Sequence, residues 1–287
     1  YLDSDRFERP SVIQKSFTPS IADEMILQDT SYFRVLNLSV STFNDHSPTS
    51  YFHKSIGGYH GAKLKRYQEL IDTSITVNIA SFVERAKTAN TIDDLTPVFN
   101  NSHAINMLNA KYVIYNPEVP PLINNRALGN AWFAQKVKFA ANANEELSSI
   151  NSLNPSSEAV VDVIFRDFVE KSDYPSDAGD TIFLVSYQPN ELVYRCSSSG
   201  ERLAVFSEIY YPAGWKSFID GKESPHFRAN YVLRAMIVPE GKHEISFRFQ
   251  PDSYIKGNKV SLASSVLLLL IVAIYAGSEI KKRFKPS

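Results

Sequence analysis

From Glu158 to Gln250 the apolar residues fall into short runs with polar turn residues between them. The runs are "EAVVDVIF", "TIFLVSYQ", "ELVYRCSS", "RLAVFSEIYY", "WKSFIDG", "NYVLRAMIV" and "HEISFRFQ". Between and beside them stand "QPN", "SSSG", "YPAGW", "IDGK" and "PEGKH". Short runs rich in branched and aromatic side chains, punctuated in this way, predict an antiparallel β-sandwich. Asp220-Gly221 suits a tight hairpin, because both central residues of such a turn need positive φ.

Upstream the periodicity changes. "FTPSIADEMILQ" predicts a short helix, with Thr18 as cap, Pro19 in the first turn, and Asp23 and Glu24 at the positive end of the dipole. "YFRVLNLSV" (32–40) predicts a strand. From Ala62 onward Leu64, Tyr67, Leu70 and Ile71 recur at helical spacing. "TIDDLTPVFNNSHAINMLNAKYVIYNP" predicts a loop, a helix near 102–109 and a strand at 111–115. "AWFAQKVKFA" (131–140) predicts one further strand before a short helix in "NANEELSSIN". The fold class expected is α+β: a mixed α/β subdomain (29–152), an antiparallel β-sandwich (153–255) and a transmembrane helix (259–279). An irregular linker (1–28) precedes them and a basic tail (280–287) follows.

The stretch from Val260 to Ser278 carries no charge, and its length approaches the ~20 residues that cross a bilayer core as a helix. Lys281, Lys282, Arg283 and Lys285 follow it, against Lys256 and Lys259 before it. That excess predicts a cytoplasmic C-terminus and an extracytoplasmic body. The opening "YLDSDRFERPS" reads like the interior of a longer polypeptide.

Composition narrows the function classes. With 44% hydrophobic, 12% aromatic and 21% charged residues the chain is that of a folded protein. A net charge of -1 gives no global basic field, so no nucleic-acid partner is expected. One cysteine, Cys196, excludes an internal disulfide and a cysteine-paired zinc site. No metal or cofactor is expected.

The densest candidate chemistry is "TSYFHKSIGGYHGAKLKRY" (49–67). Gly57-Gly58 would turn the backbone amides toward a ligand, and the following helix would offer its N-terminus. His53, Lys54, Tyr59, His60, Lys63 and Arg66 would line such an anion site. The same residues also read as a turn leading into a solvated helix face, and "SIGGYHG" matches neither phosphate-loop fingerprint. A second candidate is the aromatic group Tyr210, Tyr211 and Trp215, able to stack on a sugar ring or to serve as sandwich core.

"YFRVLNLSVSTFNDHSPTSYFHKSIGGYHGAKLKRYQELID", "INMLNAKYVI", "NRALGNAWF", "LAVFSEIYYPAGWKSFIDGK" and "RANYVLRAMIVPEGKHEISFRFQPDSY", closed by a membrane helix, resemble the C-terminal part of YfhO-type bacterial membrane proteins. Those proteins are similar to the GT-C glycosyltransferases, which use polyprenyl-phosphate sugars. The resemblance implies a location at the bacterial cytoplasmic membrane and an N-terminal membrane region of the same chain that holds the catalytic acid. It implies no catalytic residue in this stretch. The partners implied are the lipid bilayer, a polyprenyl-phosphate sugar and an envelope glycan acceptor, which the Gly-Gly loop would help position. The alternative is a non-catalytic envelope module that binds glycan or protein through its sandwich.

Overall fold

The computed structural model describes residues 18–43, 49–58 and 61–283. Tyr59 and His60 lie outside the described residues, as do the first part of the 1–28 linker and the end of the basic tail.

The chain begins with α1 (Ile21–Ile26), whose cap is Ser20 rather than Thr18. The Ser20 hydroxyl accepts from the Asp23 amide, and the Asp23 carboxylate accepts in return from the Ser20 amide. That reciprocal pair satisfies two donors at once, which a Thr18 cap would not. Next come β1 (Arg34–Asn37), α2 (Thr49–Phe52), α3 (Lys65–Leu70) and α4 (Thr76–Ala86). A π-helical turn, Ile71–Ile75, joins α3 to α4. The segment Ile92–Asn101, expected as loop, is a 3₁₀-helix with a Thr91–Asp94 capping box. It leads into α5 (His103–Met107), β2 (Ala110–Ile114) and β3 (Leu122–Ile123).

The single strand expected over 131–140 is two strands, β4 (Ala131–Ala134) and β5 (Lys136–Ala140), with α6 (Ala143–Ser149) after them. They part at Gln135 and join different sheets. β6 (Glu158–Asp162) pairs in parallel with β5 and stays outside the sandwich. The sandwich strands are β7 (Thr181–Gln188), β8 (Glu191–Ser198), β9 (Arg202–Ile209), β10 (Trp215–Ile219) and β11 (Lys222–Glu223). β12 (Phe227–Ala229), β13 (Leu233–Val238) and β14 (Gly241–Phe249) complete them. Asp220 (φ 50°) and Gly221 (φ 78°) make the expected hairpin between β10 and β11.

One sheet has the order β11-β10-β14-β8-β7 and the other β12-β13-β9-β4. Tyr194, Phe206, Met236, Ile245 and Phe247 pack between them. The opposite face of the four-stranded sheet, through Leu203, Val205, Leu233 and Ala235, joins a second core with Leu36, Leu70, Met107 and Val160. The body is therefore three layers deep, and the middle sheet is covered on both sides. This explains why "RLAVFSEI" is apolar without strict alternation. It also means that the ladder and the second core run across the boundary expected at 152/153. β4 belongs to the sandwich by hydrogen bonding, because its inner residues Ala131 and Phe133 complete that core.

The final helix, α7 (Asp252–Arg283), starts at Asp252, earlier than the uncharged run suggested. Pro251 precedes it and Asp252 favours its positive end. Over Asp252–Gly277 it is long and apolar enough to cross a membrane, and none of its most apolar window is buried against the body.

Candidate functional site

The Gly-Gly loop is pinned to the edge of β1. Val35 donates its amide to the Lys54 carbonyl (2.7 Å), and Ile56 donates to the Val35 carbonyl (3.1 Å). Gly58 has φ +109°, where side chains are strained. A Cβ on Gly57 would lie 2.2 Å from the Thr42 carbonyl oxygen. Both glycine amides are engaged inside the loop: Gly57 donates to Ser55 Oγ (3.0 Å) and Gly58 to the Thr42 carbonyl (2.6 Å). The amides expected to face an anion are thus used in holding the turn.

The basic candidates separate as well. His53 is buried, with 3% of its side chain exposed, and its Nε2 sits 2.8 Å from Asp23 Oδ1. Lys54 places Nζ over the stacked rings of Tyr32 (4.2 Å) and Tyr187 (5.0 Å). Burial there lowers the pKa of its ammonium. Arg66 reaches Glu146 (3.1 Å) and lies over the Tyr231 ring (4.5 Å). Lys63 has no ion pair among the described residues and lies 5.9 Å from the Phe43 ring centre. Gly57, Gly58 and Lys63 line a cavity of about 320 Å³ with Arg34, Ile56 and Tyr67. His53 and Lys54 do not line it.

Behind this cavity lies a buried pair that the linear pattern did not signal. Arg34 Nη2 contacts Glu208 Oε1 at 2.9 Å, while Nη1 donates to the carbonyls of Leu108 (3.0 Å) and Ser207 (2.5 Å). Arg34 sits within a run read as strand, and Glu208 within an apolar sandwich strand. A charged residue in such a run was the available signal that each needs a partner.

A second cavity, of about 310 Å³, shares Leu64, Tyr67 and Ile209 with the first. Arg66, Tyr210, Tyr211, Arg228 and Tyr231 also line it. Beside it Glu146, whose side chain has 0% exposure, receives Arg66, Arg228 Nη2 (3.2 Å) and the Tyr231 amide (3.1 Å). Arg228 Nη2 also reaches Asp162 (3.4 Å). Asn230 and Tyr231 both have positive φ, 49° and 69°. Such a pair persists only when its surroundings hold it; here the Glu146 bond and the Val160 amide-to-Asn230 Oδ1 bond (2.9 Å) do so. The expected group of three aromatics is divided: Tyr210 and Tyr211 line the cavity, whereas Trp215 packs against Arg234 (4.0 Å) and Phe249 (5.3 Å).

The rim of this second cavity adjoins the start of α7. Gln250 donates its amide to the Gly214 carbonyl (2.6 Å), and Gly214 lies against Phe249 and Pro251. Tyr211 and Pro212 belong to the same loop. Among the described residues no three His, Cys, Asp or Glu side chains are grouped to hold a metal ion.

The fold and the site define a class, an α+β body with a two-cavity face and a helix long and apolar enough to cross a membrane. No protein family matches the chain, and no curated protein matches it at a significant level.

Proposed function

We propose that the chain is the extracytoplasmic accessory domain of an integral membrane protein that resembles polyprenyl-phosphate-sugar-dependent glycosyltransferases. The observation that carries this reading is α7, whose apolar length is unburied and whose root adjoins the loop rimming the second cavity, next to the one lined by Gly57, Gly58 and Lys63. A helix of that composition finds its apolar environment in a bilayer core. The lysines and arginine at its far end favour the cytoplasm, which leaves the body outside. In this reading the cavity of Gly57, Gly58 and Lys63 holds an anionic group of a lipid-linked donor or envelope acceptor close to the membrane surface. The domain positions the ligand, and a carboxylate elsewhere in the longer polypeptide deprotonates the acceptor hydroxyl.

Lys63 supplies the charge in this arrangement, because His53, Lys54 and Arg66 have internal partners. The test uses the full-length protein in membranes, supplied with polyprenyl-phosphate sugars and envelope acceptors. Transfer by the wild type, reduced about tenfold (about 1.4 kcal/mol of barrier) by Lys63→Ala at equal expression, supports the reading. Equal transfer by both removes the cavity from the reaction. No transfer by the wild type sets the glycosyltransferase reading aside in favour of a non-catalytic envelope module.

A further inference from the structure

The second cavity differs from an anion site in one decisive respect: its charges cancel locally. The cations Lys65, Arg66 and Arg228 face the carboxylates Glu69, Glu146 and Asp162. Arg66 and Arg228 therefore bring no surplus charge to a ligand. They do bring planar N–H groups, five per guanidinium, held in place by carboxylates and rings. Arg66 is fixed between Glu146 and the face of Tyr231, and Arg228 between Glu146, Asp162 and the Phe165 ring (5.0 Å). Buried Arg228 Nε has no hydrogen-bond partner among the described residues. That nitrogen is enclosed by the protein, so a ligand meets Arg228 through the part of its guanidinium that lines the cavity.

The aromatic residues divide in a similar way. Tyr210 is engaged edge-on with Phe165 (5.9 Å) and His226 (5.6 Å). Tyr231 carries Arg66 on its face and donates its hydroxyl to Glu69. Tyr211 is 41% exposed and has no ring partner among the described residues. One free aromatic face and fixed planar donors in about 310 Å³ complement a ring with C–H groups on one face and hydroxyls around its edge. That volume is at the small end of ligand pockets, which run to about 1,000 Å³, so it suits one ring.

We propose that this cavity binds a single neutral pyranose unit of a glycan, stacked on Tyr211 and hydrogen-bonded by Arg66 and Arg228. The proposal deepens the accessory-domain reading and rests on it only for the cavity's place at the membrane. Its test needs neither a bilayer nor transfer activity, so its failure leaves the anchor and the Lys63 experiment untouched.

The full-length protein in detergent is titrated with oligosaccharides ending in neutral hexoses, N-acetylated hexosamines or acidic sugars, each at low and high salt. Calorimetry or saturation-transfer NMR reads the binding. The expected result is binding of a neutral or N-acetylated terminus that changes little with salt, weakens at least tenfold in Tyr211→Ala and returns in Tyr211→Phe. An exposed loop tyrosine leaves folding intact, which a matching thermal melt verifies. No binding of neutral sugars up to ~10 mM, the weak end of specific recognition, overturns the proposal. So does equal binding by Tyr211→Ala, or a preference for acidic termini with steep salt dependence.

Discussion

The two cavities share Leu64, Tyr67 and Ile209 but are furnished in opposite ways. The first has a backbone turn, a lysine with no ion pair among the described residues and a mostly aliphatic wall. The second has tyrosines and arginines, the latter held from behind by buried carboxylates. A count of basic residues along the chain favours the first, yet most of the basic side chains near it serve the fold. His53 holds Asp23 of α1, and Lys54 caps a tyrosine stack. The lesson is that a positive charge offers a ligand only what its neighbours have left over.

The largest expected effect falls on the second cavity. Glu146→Ala leaves Arg66 and Arg228 without their shared carboxylate and releases the Tyr231 amide. Removing one member of a buried charge network costs about 3–5 kcal/mol, which denaturant unfolding measures. A loss within about 0.5 kcal/mol would show that the network is not holding the cavity together.

His226, packed against Tyr210, gives the next effect. Ser217 Oγ donates to the Ser224 carbonyl, so His226 Nδ1 donates to Ser217 Oγ (2.8 Å), and buried Nε2 has no partner among the described residues. Burial, reinforced by Arg234, lowers the pKa of the ring to about 4. The unfolded chain takes up this proton near pH 6.5 and the folded one only near 4, so stability falls as pH drops through that window. The integrated loss is about 3 kcal/mol. His226→Gln should flatten that part of the pH–stability curve, and an unchanged slope would contradict the assignment.

Gly57→Ala sharpens the contrast from the other side. Its Cβ meets the Thr42 carbonyl at 2.2 Å, so the loop must shift at a cost of about 1–3 kcal/mol. Thermal melts should show the loss, while glycan binding in the second cavity stays as in the wild type. The smallest effect is that of Lys63→Ala: stability changes within about 0.5 kcal/mol, because this side chain has no ion pair among the described residues to lose.

Much of the architecture was legible because the signals were local. Turn residues and short branched runs marked most sandwich strands, and Asp220-Gly221 marked its hairpin. The uncharged run marked α7. What the chain concealed was long-range. Nothing local to "AWFAQKVKFA" says that the chain changes sheets at Gln135, since the reason is the space left beside β9. "EAVVD" reads as a sandwich strand because parallel and antiparallel strands share one composition. Of the candidate site, Gly57, Gly58 and Lys63 do share a cavity, and Arg66 lines the one beside it. The internal partners of His53, Lys54 and Arg66 come from residues 22 or more positions away, beyond any spacing rule.

The most direct test of the central claim is which side of the membrane the cavity face occupies. Single cysteines are introduced by Tyr211→Cys and Ser287→Cys in the full-length protein, whose own Cys196 is buried, and intact cells or oriented vesicles are treated with a membrane-impermeant maleimide. The account predicts labelling at position 211 from outside, and at position 287 only after permeabilisation. Labelling of both positions in intact cells, or the reverse pattern, would contradict an extracytoplasmic body anchored by α7.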